Sequence, residues 1–391
     1  MSEIEYLVGN KKFENLSIKP FDDVVCNFLS SLSKNINNSN LLKDYSDIKT
    51  FAFMCRKSNI KKLKSKINQN EFRRGLGLLF HITPSNIPTN FAYSLLFGVL
   101  SGNTNVIKVP SKKFPQIDLI CKFINVTLKK YKKVRKMINI VRYQNNDEFT
   151  KSISSKCDGR LIWGGDKTIN EIRKFPMKEI SRDIAFANRN SICLMNSSEI
   201  LKLNKKDLNR LVQKFYNDTF LVDQNACSSP HVIFWYGNKT NKAKIKFWTE
   251  LHYFAKNNYN LEYASSFYKY DRLLSDILTN TNYINHTNYG GYIYCINLKN
   301  KHINLTDLVS RWGYFYQFDI KNINMVLNFS NNNTQTLTYF GFKKEMILKN
   351  FDLKYFKGID RIVPVGQALD INLNWDGYDV INALTRIIDL R

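Results

Sequence analysis

The run of apolar and polar positions changes character at Gly75. Before that residue the clearest pattern follows Pro20. Phe21, Val24, Val25, Phe28, Leu29 and Leu32 recur at the i, i+3, i+4, i+7, i+8 spacing that lays one apolar stripe along a helix. Proline suits a first helical turn, and NINNSN at 35–40 ends the pattern. Residues 1–70 therefore predict a helical N-terminal segment. Beyond Gly75 short apolar runs alternate with helical ones. LGLLFHI at 76–82 predicts a buried strand. TPSNIP at 83–88 cannot be helical, because two prolines fix their φ angles and push the residues before them to extended forms. A helix over 89–100, halted by SGN, leads to a second strand, NVIKV at 105–109. Strand, loop, helix, strand is the βαβ unit of a parallel sheet.

The alternation continues with a helix around 114–132 and strands at 137–142 and 158–163. A glycine pair at 164–165, a helix over 167–174 and a strand near 190–195 follow. This predicts a doubly wound, nucleotide-binding domain over 71–195. A helix over 206–220 then leads through LVDQNACSSP into a strand at 231–236. Residues 196–350 read as a second α/β domain, carrying the candidate cysteine described below. The glycine- and proline-punctuated end, 351–391, is expected to pack back on the core. The fold class is thus α/β, a Rossmann-type domain beside a second α/β domain. No internal repeat or Gly/Ser/Pro linker interrupts it.

Composition bounds the function. In 391 residues, 43% are hydrophobic and 23% charged, which excludes a mainly disordered chain. The longest apolar segment, 91–100, is far below the ~18 residues of a membrane span, and MSEIEYLVGN lacks the apolar core of a secretory signal. The seven cysteines, at 26, 55, 121, 157, 193, 227 and 295, form no CxxC, and only His231 lies near one of them. No disulfide framework and no metal site is expected, and a reducing cytoplasm fits best. The net charge of +25 raises nucleic acid as a partner. Against this, 43 lysines outnumber 15 arginines and are spread along the whole chain, whereas base readers and phosphate clamps favour arginine. A surface that attracts a phosphate-rich cofactor or an acidic carrier is as good a reading.

Four features could carry chemistry. Cys227 sits in a polar small-residue loop, DQNACSSP, before an apolar strand, where substrate can reach a thiol. The other six cysteines lie in or beside apolar segments, where an inert buried thiol is expected. Asn86, in a loop pinned by Pro84 and Pro88 at the carboxyl end of a strand, could donate its amide to an oxyanion or could simply form a turn. Lys108, ending the second strand, could bind ribose hydroxyls or a 2′-phosphate, or merely mark a strand edge. Gly164 and Gly165 could admit a pyrophosphate, although GxGxxG is absent.

Together PSNIP, GNTNVIKVPS and DQNACSSP resemble the P-x-N-x-P, G-N-x-x-x-x-K and catalytic-cysteine motifs of the aldehyde dehydrogenase superfamily. With HITPSNIP and the closing DRIVPVGQAL...WDGYD, the chain is most similar to LuxC-type acyl-CoA reductases, from about 75 to the C-terminus with gaps at 240–330. The resemblance implies that Cys227 is the nucleophile. It implies Asn86 and the Cys227 N–H as oxyanion donors, Lys108 on the adenosine ribose or its 2′-phosphate, and Gly164 and Gly165 near the cofactor. It further implies NADPH, an acyl-CoA or acyl-carrier substrate, an acyl-transferring partner enzyme and a homo-oligomer. One departure stands out. Hydrolytic aldehyde dehydrogenases carry a glutamate base about 35 residues before the cysteine. Here no glutamate lies between 181 and 198, and Ser191 stands 36 residues before Cys227. A reductase does not need that base, because hydride rather than water attacks the acyl-enzyme. Two alternatives remain: a relative acting on an acyl phosphate or oxidising an aldehyde, and a non-catalytic basic binding protein.

Overall fold

The computed structural model describes residues 3–389 apart from 13, 43, 44, 69, 70 and 300–302. Two compact units form, Met1–Ala187 with Asn372–Arg391, and Asn188–Ile371.

The first unit contains β1 (Glu5–Val8), β2 (Arg73–Gly75), β3 (Leu78–Ile82), β4 (Thr104–Val109), β5 (Ile138–Arg142), β6 (Gly159–Trp163) and β7 (Arg182–Phe186). Six of them make one sheet in the order β1-β5-β4-β3-β6-β7. Strands β3 to β7 run parallel, and β1 closes the edge antiparallel to β5. The chain therefore winds outward from β3 to β5, then returns and winds the other way through β6 and β7. That reversal is the switch point of a doubly wound sheet. Every residue of β3, β5 and β6 is buried, which is why these strands read as continuous apolar runs rather than alternating ones.

Helices supply the crossovers. Asn90–Leu100 joins β3 to β4, and Pro115–Leu128 joins β4 to β5 with proline in its first turn. Asp147–Ser154 joins β5 to β6, capped by the Asn146 side chain on the Phe149 N–H. This last helix sets Phe149 and Ile153 four residues apart on one face but is too short to repeat the spacing, and the sequence pattern does not predict it. The N-terminal helix spans Asp23–Asn37 and buries Val25, Phe28, Leu29, Leu32 and Ile36. Its start is set by Asp22, whose carboxylate accepts the Val24 N–H at 3.0 Å, so Pro20 lies outside it. Residues 5–8, inside the segment expected to be helical, form the edge strand β1.

His81 sits fully buried in β3. Its Nδ1 is 2.7 Å from Ser94 Oγ and its Nε2 3.0 Å from Asn105 Oδ1, while Trp163 Nε1 donates to the same serine at 2.9 Å. Burial pulls its pKa down to about 4, against a smaller upward effect of Asn105. A histidine depressed in the folded state adds stability that is present above about pH 6.5 and lost as pH falls toward 4. The full shift corresponds to about 3 kcal/mol. Melting curves across this window should therefore show a shallower loss with acid in His81→Gln than in the wild type. Equal slopes would remove His81 from the acid response.

The second unit contains β8 (Asn190–Asn196), β9 (Pro230–Tyr236), β10 (Tyr283–Tyr289), β11 (Ile293–Leu298), β12 (Tyr314–Ile320), β13 (Thr334–Phe340) and β14 (Arg361–Pro364). Their order is β10-β11-β12-β9-β8-β13-β14, parallel throughout except for the antiparallel edge strand β10. On one side Phe215, from the helix Lys205–Thr219, meets Phe247 and Trp248, from Thr240–Asn258, in edge-to-face contacts over Phe315. Residues 190–196, expected to close the nucleotide-binding domain, instead pair with β9 and β13 here.

The C-terminal segment divides between the units. β14 belongs to the second unit's seven-stranded sheet, whereas Thr385–Ile387 pairs antiparallel with β2 as a separate two-stranded sheet of the first unit. One guanidinium nitrogen of Arg182 donates to the carbonyls of Asn382, Ala383 and Thr385, which fastens the returning chain. Among the described residues no helix is long and apolar enough to cross a membrane, and no group of three or more His, Cys, Asp or Glu is placed to hold a metal ion.

Candidate active site

The first sheet gathers four of the five candidate residues at its carboxyl edge. The loop 83–89, with Asn86, follows β3, and Gly164 and Gly165 follow β6. These two strands flank the switch point, where open α/β sheets bind their ligands. Asn86 is exposed. Its loop is anchored by Thr83, whose N–H and Oγ1 both donate to the Lys108 carbonyl, at 3.1 and 2.9 Å. Lys108 lies beside this anchor near the end of β4. Its ammonium is 5.0 Å from the Tyr143 ring centroid, a cation–π distance, and burial lowers its pKa.

The two glycines differ in kind. A Cβ on Gly164 would press on Thr168 Cβ at 3.2 Å, and its N–H donates to the Phe186 carbonyl, so close packing favours glycine there. A Cβ on Gly165 would meet nothing within 4 Å. Gly165 precedes the helix Asp166–Arg173, whose first turn has no side-chain cap. The fold does not require glycine at this position; its effect is to leave open space in front of a helix N-terminus that has no capping side chain and carries Asp166 in its first turn. The open space gives a phosphate-bearing group access to the positive end of the helix dipole, with Asp166 opposing it.

Cys227 belongs to the second unit, in a loop built almost wholly from polar anchors. After the helix Lys205–Thr219 and the turn Phe220–Val222, Asp223 and Gln224 are both left-handed, with φ of 53° and 55°. Buried Gln224 secures the reversal. Its Nε2 donates to the carbonyls of Pro230 and Tyr314, at 3.1 and 3.4 Å, and its Oε1 accepts the N–H groups of Gly313 and Tyr314, at 2.8 and 3.1 Å. The amide's capacity is thereby filled. Ser229 Oγ donates to the Asp218 carbonyl at 2.7 Å, and Ser191 Oγ donates to the carbonyl of Cys227 itself at 2.6 Å. The Cys227 thiol is half-exposed and 4.0 Å from Asn188 Oδ1. No disulfide joins any of the seven cysteines. Burial raises the pKa of the other six thiols, to about 11 for Cys26 and about 12 for Cys157, which keeps them protonated.

The closing motif DRIVPVGQAL supports the same helix. The Asp218 carboxylate accepts the N–H groups of Gly366 and Ala368, at 2.6 and 2.9 Å. Arg361 donates to the carbonyls of Ala368, Gln367 and Asp370, at 3.0, 3.2 and 2.9 Å. Gly366 has φ of 96°, and a side chain on it would strike Lys214 Cβ at 2.8 Å. The motif is visible in the sequence, but its role as a support of this helix is not. Gln224 is a further support, and a polar residue beside a candidate nucleophile in a small-residue loop is its signal in the sequence. Asp218 gave none, for it occupies an ordinary helical position.

The family model for acyl-CoA reductase (LuxC) matches residues 29–252. A long-chain acyl-protein thioester reductase of Photorhabdus luminescens is 25% identical over 300 residues, which are 74% of this chain and 58% of that protein. The chain thus spans less than two thirds of the length of this relative. Two solved structures share the fold, each at 10% identity and a TM-score of 0.65. Aldehyde dehydrogenase 21 from Physcomitrella patens, in complex with the reaction product succinate, covers 94% of this chain and is itself covered to 86%. An indole-3-acetaldehyde dehydrogenase complexed with NAD+ covers 93% and is covered to 82%.

Proposed function

Because the chain belongs to the LuxC acyl-CoA reductase family, we propose that it reduces an acyl thioester to the aldehyde through a thioacyl intermediate on Cys227. The observation that carries this reading is the placing of Cys227. Of the seven cysteines only Cys26 and Cys227 are not buried, and of these two only Cys227 lies in a loop, with its own peptide tied to the central strands and its thiol half-exposed. In the proposed reaction its thiolate attacks the thioester carbonyl carbon. The carbon–sulfur bond to the carrier breaks, and the carrier thiol leaves with a proton. The Cys227 N–H, in the thiol's own loop, is the proposed donor to the tetrahedral oxyanion, and Asn86 is the second donor that the family resemblance implies. The substrate class is a long-chain acyl group on CoA or on a protein carrier, the latter after the printed activity of the Photorhabdus relative.

The carboxyl edge of the first sheet suits a nicotinamide dinucleotide, which supplies hydride when bound. Gly165 and the uncapped helix behind it would admit the pyrophosphate, and Lys108 would hold the adenosine ribose or its 2′-phosphate. NADPH is preferred, because a half-buried lysine gains most from a doubly charged partner. Lys108→Ala should then weaken NADPH about 10-fold or more and NADH less, read by fluorescence titration. Equal weakening would point to the ribose hydroxyls.

Asn86→Ala should lower kcat about 100-fold, roughly 2.7 kcal/mol, with cofactor affinity held. Steady-state kinetics that hardly move would leave Asn86 a turn residue. The reading as a whole is tested by intact mass after mixing with a panel of acyl-CoAs and acyl carriers, without reductant. One added acyl group on the Cys227 peptide supports it. Acylation by acyl phosphates alone would transfer the chain to a different electrophile.

A further inference from the structure

We infer that Ser191 is the positioning residue of the nucleophile loop, an inference that rests on reading Cys227 as the nucleophile. Ser191 lies near the start of β8, inside the second sheet, and is fully buried. Its cross-strand partner on β9 is Pro230, and the pairing slips between Ser191 and Ile192. Proline has no N–H, so the backbone ladder cannot extend from Pro230 into the loop before it. The Ser191 hydroxyl takes over where the ladder stops. It donates to the carbonyl of Cys227 at 2.6 Å, three residues beyond the last strand pair, and accepts the Thr336 N–H of β13 at 3.1 Å. One side chain therefore ties the nucleophile's own peptide to two strands of the sheet.

The consequence is directional. The carbonyl of Cys227 fixes ψ at that residue, and with it the relation of the thiol and the Cys227 N–H to the next peptide. The other anchors, Gln224 and Ser229, hold the loop on either side of Cys227, whereas Ser191 reaches the residue itself. Two left-handed residues upstream leave that loop little alternative order without its anchors. Deleting the hydroxyl removes a partner from both the Cys227 carbonyl and the buried Thr336 N–H. The loop then relaxes, and a small displacement of a reacting atom costs rate steeply.

The test uses two pairs that differ in the hydroxyl, wild type against Ser191→Ala, and Ser191→Thr against Ser191→Val. The second pair holds side-chain volume constant and decides the question if the alanine variant folds poorly. Two rates are measured per folded molecule. One is acylation of Cys227 by acyl-CoA, followed by mass. The other is alkylation of Cys227 by iodoacetamide across pH, mapped to its peptide, which assumes nothing about the substrate. The hydroxyl-bearing member of each pair should acylate about 10-fold faster or more, in kcat rather than KM, and its alkylation profile should differ from its partner's. A purely structural serine would lower the melting temperature and leave both rates unchanged, and that result overturns the inference. Hydroxyl-dependent alkylation in a protein that takes no acyl group would uphold Ser191 and overturn the substrate reading instead.

Discussion

Cys227→Ser should lose acylation and reduction together, to below a few per cent of wild type, while cofactor affinity stays within about twofold. A serine hydroxyl is a far weaker nucleophile than a thiolate unless a base takes its proton. The Asn188 carboxamide beside the thiol and the Ser191 hydroxyl on the Cys227 carbonyl are not bases at neutral pH, and the loop's carboxylate, Asp223, accepts the Tyr259 hydroxyl. The substitution changes one atom and leaves the anchors at Gln224, Ser229 and Ser191 in place, so the expected loss is chemical rather than structural. The checks are intact mass after acyl-CoA, aldehyde formation with NADPH, and a dinucleotide titration. Turnover surviving above a few per cent would remove Cys227 from the reaction.

An acyl-enzyme formed without cofactor should persist. Hydrolysis at Cys227 needs a base to take the proton of attacking water, and a positioned base contributes 10²- to 10⁴-fold. No glutamate occurs between 181 and 198. Ser191, which stands 36 residues before the cysteine, is engaged with the main chain of Cys227 and Thr336. Discharge by water should therefore be slower than reduction by about that factor. A time course of thioacyl-enzyme by mass spectrometry, with and without NADPH, reads both rates. Rapid release of free acid without cofactor would show that another residue activates water, and the chain would then act as a thioesterase or aldehyde oxidiser.

Much of the first unit was legible because its strands are buried on both faces. LLFHI, NVIKV and GRLIW are short apolar runs bounded by turn residues, and burial on both sides demands that composition wherever the strand sits. The candidate residues were legible for a related reason. PSNIP, the glycine pair and the cysteine loop are local departures from the pattern around them, and each stands out without any knowledge of its neighbours in space. The crossover Asp147–Ser154 escaped because an eight-residue helix carries too few apolar positions to set a period. RDIAF escaped as a strand because its first two residues are charged and exposed at the edge of the sheet.

What the sequence determined by itself is thus the kind of element at each place and the chemistry that each loop could display. The tertiary structure decided which elements are neighbours. It alone set 190–196 beside 334–340, placed β14 in the seven-stranded sheet and 385–387 beside β2 in a two-stranded sheet of the first unit, and turned Ser191, Gln224 and Asp218 into supports of the cysteine loop. The reason is physical. A buried run must be apolar whatever strand lies next to it, so its composition records burial and not partnership. A hydrogen bond such as that from Thr336 to Ser191 joins residues 145 positions apart, and neither residue's local pattern carries any mark of the other.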